Sequence, residues 1–216
     1  GKAAIEMDSS LTAGIKLTID AATTATGFGT GNVSGNSLWN NKMDNKTEAN
    51  NDITVAVSGE TVLAPLPLVA ETNGIKYTSL QDAIDAAADG ATVTVVGDVS
   101  GAGAVINKNV TIDFGGNTYT FNEGVGSTGT LSNGLQILKG NTVILKNGTL
   151  KVADAAASTF YTVIQNYANL TVTDMTLDGT NLDKWAFTDG DSYVLSNNSG
   201  TVNINGKTNI IANNDG

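Results

Sequence analysis

The chain of 216 residues contains no cysteine, no histidine and no arginine, and only two prolines. Without cysteine, the chain has no disulfide framework, no thiolate nucleophile and no cysteine-based zinc site. The absence of cysteine does not by itself assign a compartment, because exported and cytosolic proteins both include chains without it.

The charge is strongly acidic, with 11 basic and 21 acidic residues and a net charge of −10. Every basic residue is a lysine. Nucleic-acid binding requires dense positive charge, so this composition predicts no nucleic-acid partner. It also disfavours binding to anionic membranes, and no apolar run approaches the length of a transmembrane helix, so we expect no membrane insertion.

The first third of the chain predicts strands separated by long polar loops. The segments GIKLTID (residues 14–20) and DITVAVS (52–58) alternate apolar and polar residues, which is typical of half-buried strands. The two prolines, Pro65 and Pro67, indicate an extended connector before a boundary near residues 70–74. We therefore predict two regions, a smaller β-rich region over 1–73, either part of a sandwich or a decorated cap, and a second domain over 74–216.

One segment, KYTSLQDAIDAAADGATVTVVGDV, predicts a short amphipathic helix over 79–89 followed by a strand. Ser79 is placed as the N-cap, with Asp82 three residues later as in a capping box. Leu80, Ala83, Ile84 and Ala87 fall on one apolar stripe, and Gly90 is the predicted stop.

A loose repeat follows the helix. Asn109, Asn141, Asn169 and Gly200 each precede a strand with two apolar residues at a spacing of two, and these starts are 32, 28 and 31 residues apart. Turns and a second short strand come next in each copy. A period of about 30 residues made of short strands and turns predicts a parallel β-helix, an all-β solenoid in which each coil stacks on the next.

The predicted helix has a clear role in such a solenoid. The end of a β-solenoid exposes unpaired strand edges and core residues, so terminal repeats need caps. We expect the helix to cover the first coil and to bury Leu80 and Ile84, each contributing about 1.5–3 kcal/mol.

The phrases YTSLQDAIDAAADGATVTVVGDV and INKNVTIDFGGNTYTF resemble the opening of pectate-lyase-like right-handed parallel β-helix domains, especially those of bacterial cell-surface and adhesin-like proteins. The resemblance extends over about residues 74–216. It implies that the helix is the N-terminal cap. Enzymes of this superfamily use Ca²⁺ with an arginine base, or clustered aspartates often with a histidine, and this chain has neither arginine nor histidine.

Carboxylates alone can still act as general acid and base in glycoside hydrolysis. Asp113, Asp174 and Asp178 lie on the predicted coils and are the candidate catalytic residues. The alternative is that they are turn aspartates that bind local backbone groups.

The segment DKWAFTDGDSY (residues 183–193) concentrates acidic and aromatic side chains. Asp183, Asp189 and Asp191 supply oxygen ligands of the kind that Ca²⁺ takes, so we expect no cofactor other than Ca²⁺. Trp185, Phe187 and Tyr193 are candidates for stacking on a sugar. The alternative is a loop whose aromatic residues pack on the solenoid and whose aspartates are solvated.

Three functions remain open at this stage. The first is a non-catalytic, adhesin-like module of a bacterial surface or extracellular protein that binds a polysaccharide or surface glycan. The second is a polysaccharide lyase or glycoside hydrolase, and the third is a structural protein of a phage fibre or spike. No signal peptide is visible, and the Gly1–Lys2 start is consistent with a mature N-terminus after its removal. The oligomeric state is left open.

Overall fold

The computed structural model of the protein describes residues 67–126, 132–183 and 192–213, together with the backbone of two strands nearer the N-terminus. The chain divides into two compact units, Gly1–Leu68 and Val69–Gly216. The described part of the first unit is a parallel pair, β1 (Lys16–Ile19) with β2 (Thr54–Val57). These strands fall within the two alternating segments that predicted them.

The second unit begins with a hairpin of β3 (Ala70–Thr72) and β4 (Ile75–Tyr77). Its two turn residues, Asn73 and Gly74, have φ of 53° and 74°, which is the type I′ turn favoured between antiparallel strands. Strand β3 also pairs with the first strand of the solenoid, so the unit starts at Val69, whereas the sequence analysis placed the boundary after residue 73.

The helix α1 spans Leu80–Ala86. The Ser79 side chain accepts a hydrogen bond from the Asp82 N–H at 3.1 Å and its hydroxyl donates to Asp82 Oδ2 at 2.6 Å, so the predicted N-cap is present. Leu80 and Ile84 are fully buried, and this burial fixes the apolar stripe of the helix against the solenoid.

The helix ends at Ala86, three residues before the predicted end at residue 89. The Ala87 N–H still bonds to Ala83 O, but the Ala87 backbone is extended. Lys108 Nζ donates to the carbonyls of Asp85 and Ala87 at 2.8 and 2.9 Å. A lysine from the solenoid therefore supplies donors at the C-terminal end of the helix before Gly90 is reached, a contact that local sequence signals do not show.

The remainder of the second unit is a β-solenoid of about three turns, with parallel stacked coils. Its strands are β5 (Thr92–Val95), β6 (Val99–Ala102), β7 (Ala104–Ile106), β8 (Val110–Asp113), β9 (Thr118–Glu123), β10 (Asn133–Ile137), β11 (Thr142–Val152), β12 (Thr162–Asn166), β13 (Asn169–Asp178), β14 (Tyr193–Asn197), β15 (Thr201–Asn205) and β16 (Asn209–Ile211). One sheet stacks β5, β8, β11, β13 and β15, with β6, β9 and β16 beside them, and a second sheet has the order β14-β12-β10-β7. The predicted parallel solenoid is confirmed.

The predicted repeat sets the register between coils. Val110, Val143, Leu170 and Val202 are successive partners in neighbouring strands, and Ile112, Leu145, Val172 and Ile204 form the next column. Leu145 and Val172, in the middle of the stack, are fully buried. Because the side-chain period of a strand is two, this register puts the same two positions of each coil on one face, which is buried in the stacked coils and partly exposed in the last one.

The two runs of each long strand meet at a corner that needs an unusual backbone. In each of the last three coils, the residue after the paired position has a positive φ, between 53° and 62°. These residues are Asn147, Asp174 and Gly206. Asparagine, aspartate and glycine tolerate this conformation best, which explains why these residue types occupy the corner.

Candidate functional site

Asp113 ends β8 and is held by three neighbours. Its Oδ1 accepts from the Gly115 N–H at 2.9 Å and from Asn147 Nδ2 at 3.1 Å, and its Oδ2 lies 3.1 Å from Lys146 Nζ. Partial burial raises the pKa of Asp113, but these hydrogen bonds and the lysine outweigh burial and hold the pKa below its ordinary value of 3.8. A general acid near neutral pH needs a raised pKa, so this environment is opposite to the one such a role requires.

Asp174 and Asp178 also make bonds to turns. Asp174 Oδ1 accepts from the Lys207 N–H at 2.8 Å, and Asp178 Oδ1 accepts from both the N–H and the hydroxyl of Thr180, at 2.9 and 2.6 Å. The Asp178 contacts are those of a turn aspartate, whereas the Asp174 contact joins two neighbouring coils.

The structure does not bring the three carboxylates together. Asp113 pairs in register with Lys146, and Lys146 pairs with Thr173, so Asp174 lies two coils away from Asp113. Lys146, which stands on the intervening coil, is bound to Asp113. Asp178 lies at the far end of β13, beyond the corner at Asp174.

Only part of the predicted acidic and aromatic loop is described. Trp185, Phe187, Asp189 and Asp191 lie outside the described residues. Asp183 Oδ2 accepts from the Phe160 N–H at 2.8 Å, and the Asp183 N–H donates to Phe160 O at 2.7 Å. Tyr193 begins β14 and is 45% exposed. Within residues 67–126, 132–183 and 192–213, no three acidic side chains come together in a way that could hold a metal ion.

A polar cavity of about 260 Å³ adjoins Asp183. Its lining consists of the connection between β11 and β12, a run made mostly of small and hydroxyl-bearing residues, together with Asn181 and Asp183. The lining residues are Val152, Ala153, Asp154, Ala155, Ala156, Ala157, Ser158, Thr159, Asn181 and Asp183.

Asn181 fixes one side of the cavity. Its Nδ2 donates to Asp154 Oδ1 at 2.7 Å and to Val152 O at 2.9 Å, which ties the loop after β13 to the loop after β11. Asp154 and Asp183 each use one carboxylate oxygen in these contacts. Within the described part of the chain, their other oxygens make no hydrogen bond, so both aspartates keep an acceptor available beside the Ser158 and Thr159 hydroxyls.

Sequence reasoning identified Asp183 but missed Asp154 and Asn181. The segment ADAAAST (residues 153–159) has no charge cluster or motif, and its only signal was a long connection between two predicted strands. Asn181 and Asp154 are 27 residues apart, close to one repeat, so the coil stacking is what brings them into contact.

No protein-family model, curated protein or solved structure matches the chain. Among the described residues, no helix is long and apolar enough to cross a membrane. A proposal for the function of this chain therefore rests on the geometry of the site.

Proposed function

We propose that this chain is a non-catalytic binding module of a bacterial surface or extracellular protein, adhesin-like in character, that takes the hydroxyl groups of a surface glycan in the cavity of Asp154, Asn181 and Asp183. Assignment to the pectate-lyase-like group of β-helices is part of this proposal. The observation that carries it is the cavity, which is held by coil-to-coil hydrogen bonds and lined by acceptors and hydroxyls.

The chemistry of the lining favours a polyol over other small ligands. Two carboxylates with one unused oxygen each are strong acceptors for sugar hydroxyls, and Ser158 and Thr159 can donate or accept. None of the described lining residues is a lysine, and the chain has a net charge of −10, so phosphorylated or sulfated ligands are disfavoured. Neutral sugars are the class that fits.

A non-catalytic role fits the state of the coil aspartates. Asp113 has a lowered pKa, Asp174 accepts from a backbone group of the next coil, and Asp178 accepts from a backbone group of its own turn. A glycosidase needs two carboxylates on opposite sides of one scissile bond, with one of them protonated at the working pH.

The test is incubation of the protein with plant, mucin and bacterial polysaccharides, with and without Ca²⁺, scoring both retention and product release. We expect retention without cleavage and no requirement for Ca²⁺. Release of oligosaccharide, or no retention on any glycan, would overturn the proposal.

The double variant Asp154→Asn with Asp183→Asn locates the binding site. Each new asparagine keeps one side-chain oxygen, which can still accept from Asn181 or from the Phe160 N–H, so we expect the fold to persist. The carboxylate oxygen that faced the ligand is replaced by an NH₂ group, which donates and does not accept. Losing hydrogen bonds to charged acceptors costs about 1.5–3 kcal/mol each, so retention should weaken by about tenfold or more. Asp178→Asn is the matched control, because it changes a solenoid aspartate outside the cavity and should leave retention unchanged.

A further inference from the structure

Four Asn–Gly pairs occur in the described residues, at Asn73, Asn133, Asn147 and Asn205. An Asn–Gly pair can lose ammonia spontaneously, because glycine has no side chain to hinder its backbone nitrogen. That nitrogen attacks the Asn side-chain carbon, a C–N bond forms, and the side-chain NH₂ leaves as ammonia with the proton of the glycine N–H. Water then opens the cyclic imide to an aspartyl or isoaspartyl residue, so the net change exchanges an amide for a carboxylate.

Ring closure requires rotation of the asparagine and a free glycine nitrogen, and two of the pairs lack this freedom. Asn133 is 3% exposed and its Nδ2 donates to Val125 O at 3.0 Å, while Gly134 lies inside β10. Asn147 Nδ2 donates to Asp113 Oδ1 at 3.1 Å, and Gly148 lies inside β11, in tight contact with Phe114. Reaction at either pair would have to open a packed strand.

The third pair, Asn73–Gly74, is exposed but forms the type I′ turn between β3 and β4. In this turn both residues have positive φ, and the pairing of Thr72 with Ile75 on either side holds the turn closed. Closing the ring there would require the hairpin turn to be rebuilt.

The fourth pair lies at the end of a strand, is not a hairpin turn and has an asparagine amide that no described residue holds, and we propose that Asn205–Gly206 is a site of spontaneous deamidation in the folded protein. Asn205 is exposed at the last position of β15, on the outer surface of the solenoid. In the part of the chain that the structure describes, neither its side-chain amide nor the Gly206 N–H makes a hydrogen bond. Rotation of the Asn205 carbonyl breaks one side-chain contact, from Thr208 Oγ1 at 2.7 Å.

The reaction changes the charge of the last coil. In residues 192–213 the only charged side chain is Lys207, so a carboxylate at position 205 cancels the charge of this segment. An isoaspartyl product also adds a methylene to the backbone at the corner where Gly206, with φ of 62°, touches the Asp174 carboxylate. The fraction of modified protein therefore increases with time, at one defined corner of the fold.

The experiment is incubation of the purified protein at mildly alkaline pH, followed by digestion after lysine and mass spectrometry. The four asparagines fall on four different peptides, because lysines at 46, 76, 108, 139, 146, 151, 184 and 207 separate them. Isoaspartate is quantified with an isoaspartyl methyltransferase. A parallel sample in concentrated urea reports the reactivity of each pair without the fold.

We expect all four pairs to react in urea, and Asn205 to react at least tenfold faster than Asn133, Asn147 and Asn73 in the folded protein. Asn205→Gln should remove the modification from its peptide and leave the other three unchanged, since glutamine would need a larger ring. Equal rates for all four pairs in the folded protein, or a faster reaction at Asn133 or Asn147, would overturn the proposal. So would an unmodified Asn205 in a folded sample whose urea control reacts.

Discussion

The side-chain amide of Gln81, on the capping helix α1, pairs with both backbone groups of Val105 in β7. Gln81 Nε2 donates to Val105 O at 3.1 Å, and the Val105 N–H donates to Gln81 Oε1 at 2.7 Å. Strand β7 is an edge of the second sheet, so one side chain supplies the two hydrogen bonds that a neighbouring strand would make. Capping the solenoid thus satisfies edge groups as well as covering the core.

Gln81→Ala tests this pairing. Alanine is the better helix former, so a loss of stability would come from the unpaired Val105 groups and not from the helix. We expect the free energy of unfolding to fall by about 1–3 kcal/mol, measured by urea denaturation. Asp85→Ala is the control, because it removes only the exposed bond from Gln81 Nε2 and should change stability by less than about 0.5 kcal/mol. Equal effects of the two variants would show that the pairing contributes nothing.

The column of Leu145 and Ile204 tests how coil stacking distributes stability. Leu145 lies between coils and is fully buried, whereas Ile204 is 49% exposed. Leu145→Ala should cost about 2–5 kcal/mol, because it leaves a cavity in the stack. Ile204→Ala should cost about 1 kcal/mol or less, since roughly half of the side chain is already in solvent. Urea denaturation of both variants measures the difference, and similar losses would contradict the predicted gradient.

The raised pKa of buried Tyr119 predicts that the protein loses stability at alkaline pH. Burial raises its pKa above the ordinary value of 10.0, and its hydroxyl donates to Ala102 O at 2.7 Å. The folded protein therefore keeps a proton that the unfolded chain loses, and stability falls as the pH rises above 10. Tyr119→Phe should lower stability by about 1 kcal/mol at neutral pH and reduce this alkaline loss, measured by thermal unfolding against pH. Tyr193→Phe, at an exposed tyrosine, should follow the original protein at every pH.

The lowered pKa of Asp113 predicts that the protein loses stability at acidic pH. Its pKa is lowered in the folded state, so its contribution to stability is present above the ordinary value of 3.8 and is lost as the pH falls through the lower, folded value. Asp113→Asn keeps an oxygen for the Gly115 N–H but loses the ion pair with Lys146. We expect its thermal midpoint to change less than that of the original protein across this acidic range. Parallel curves for the two proteins would contradict the assignment.

Local pattern was enough to predict the solenoid and its cap. Alternation at Val143 and Leu145 placed both residues in the core, and the stripe of Leu80 and Ile84 oriented the helix. These signals are local because strand and helix periods decide which side chains share a face. The helix end was misplaced by three residues, since Lys108 supplies the donors at that end from 21 and 23 residues away.

The candidate site was predicted much less well, for a physical reason. Asp154 and Asn181 are ordinary polar residues in ordinary loops, and their contact depends on the register of two stacked coils. The coil aspartates were conspicuous in the sequence, yet Asp174 binds the backbone of the next coil and Asp178 binds the turn beside it.

Composition by itself excluded cysteine chemistry, because the chain has no cysteine, and its net charge of −10 predicts no nucleic-acid partner. Periodicity by itself determined the coils, since the spacing of apolar residues along a strand decides what is buried. Only the tertiary structure decided which polar groups meet: Gln81 with Val105, Asn181 with Asp154, and Asp113 with Lys146. Each of these contacts joins residues 24 to 33 positions apart, a distance that stacking of coils closes and that no local pattern encodes.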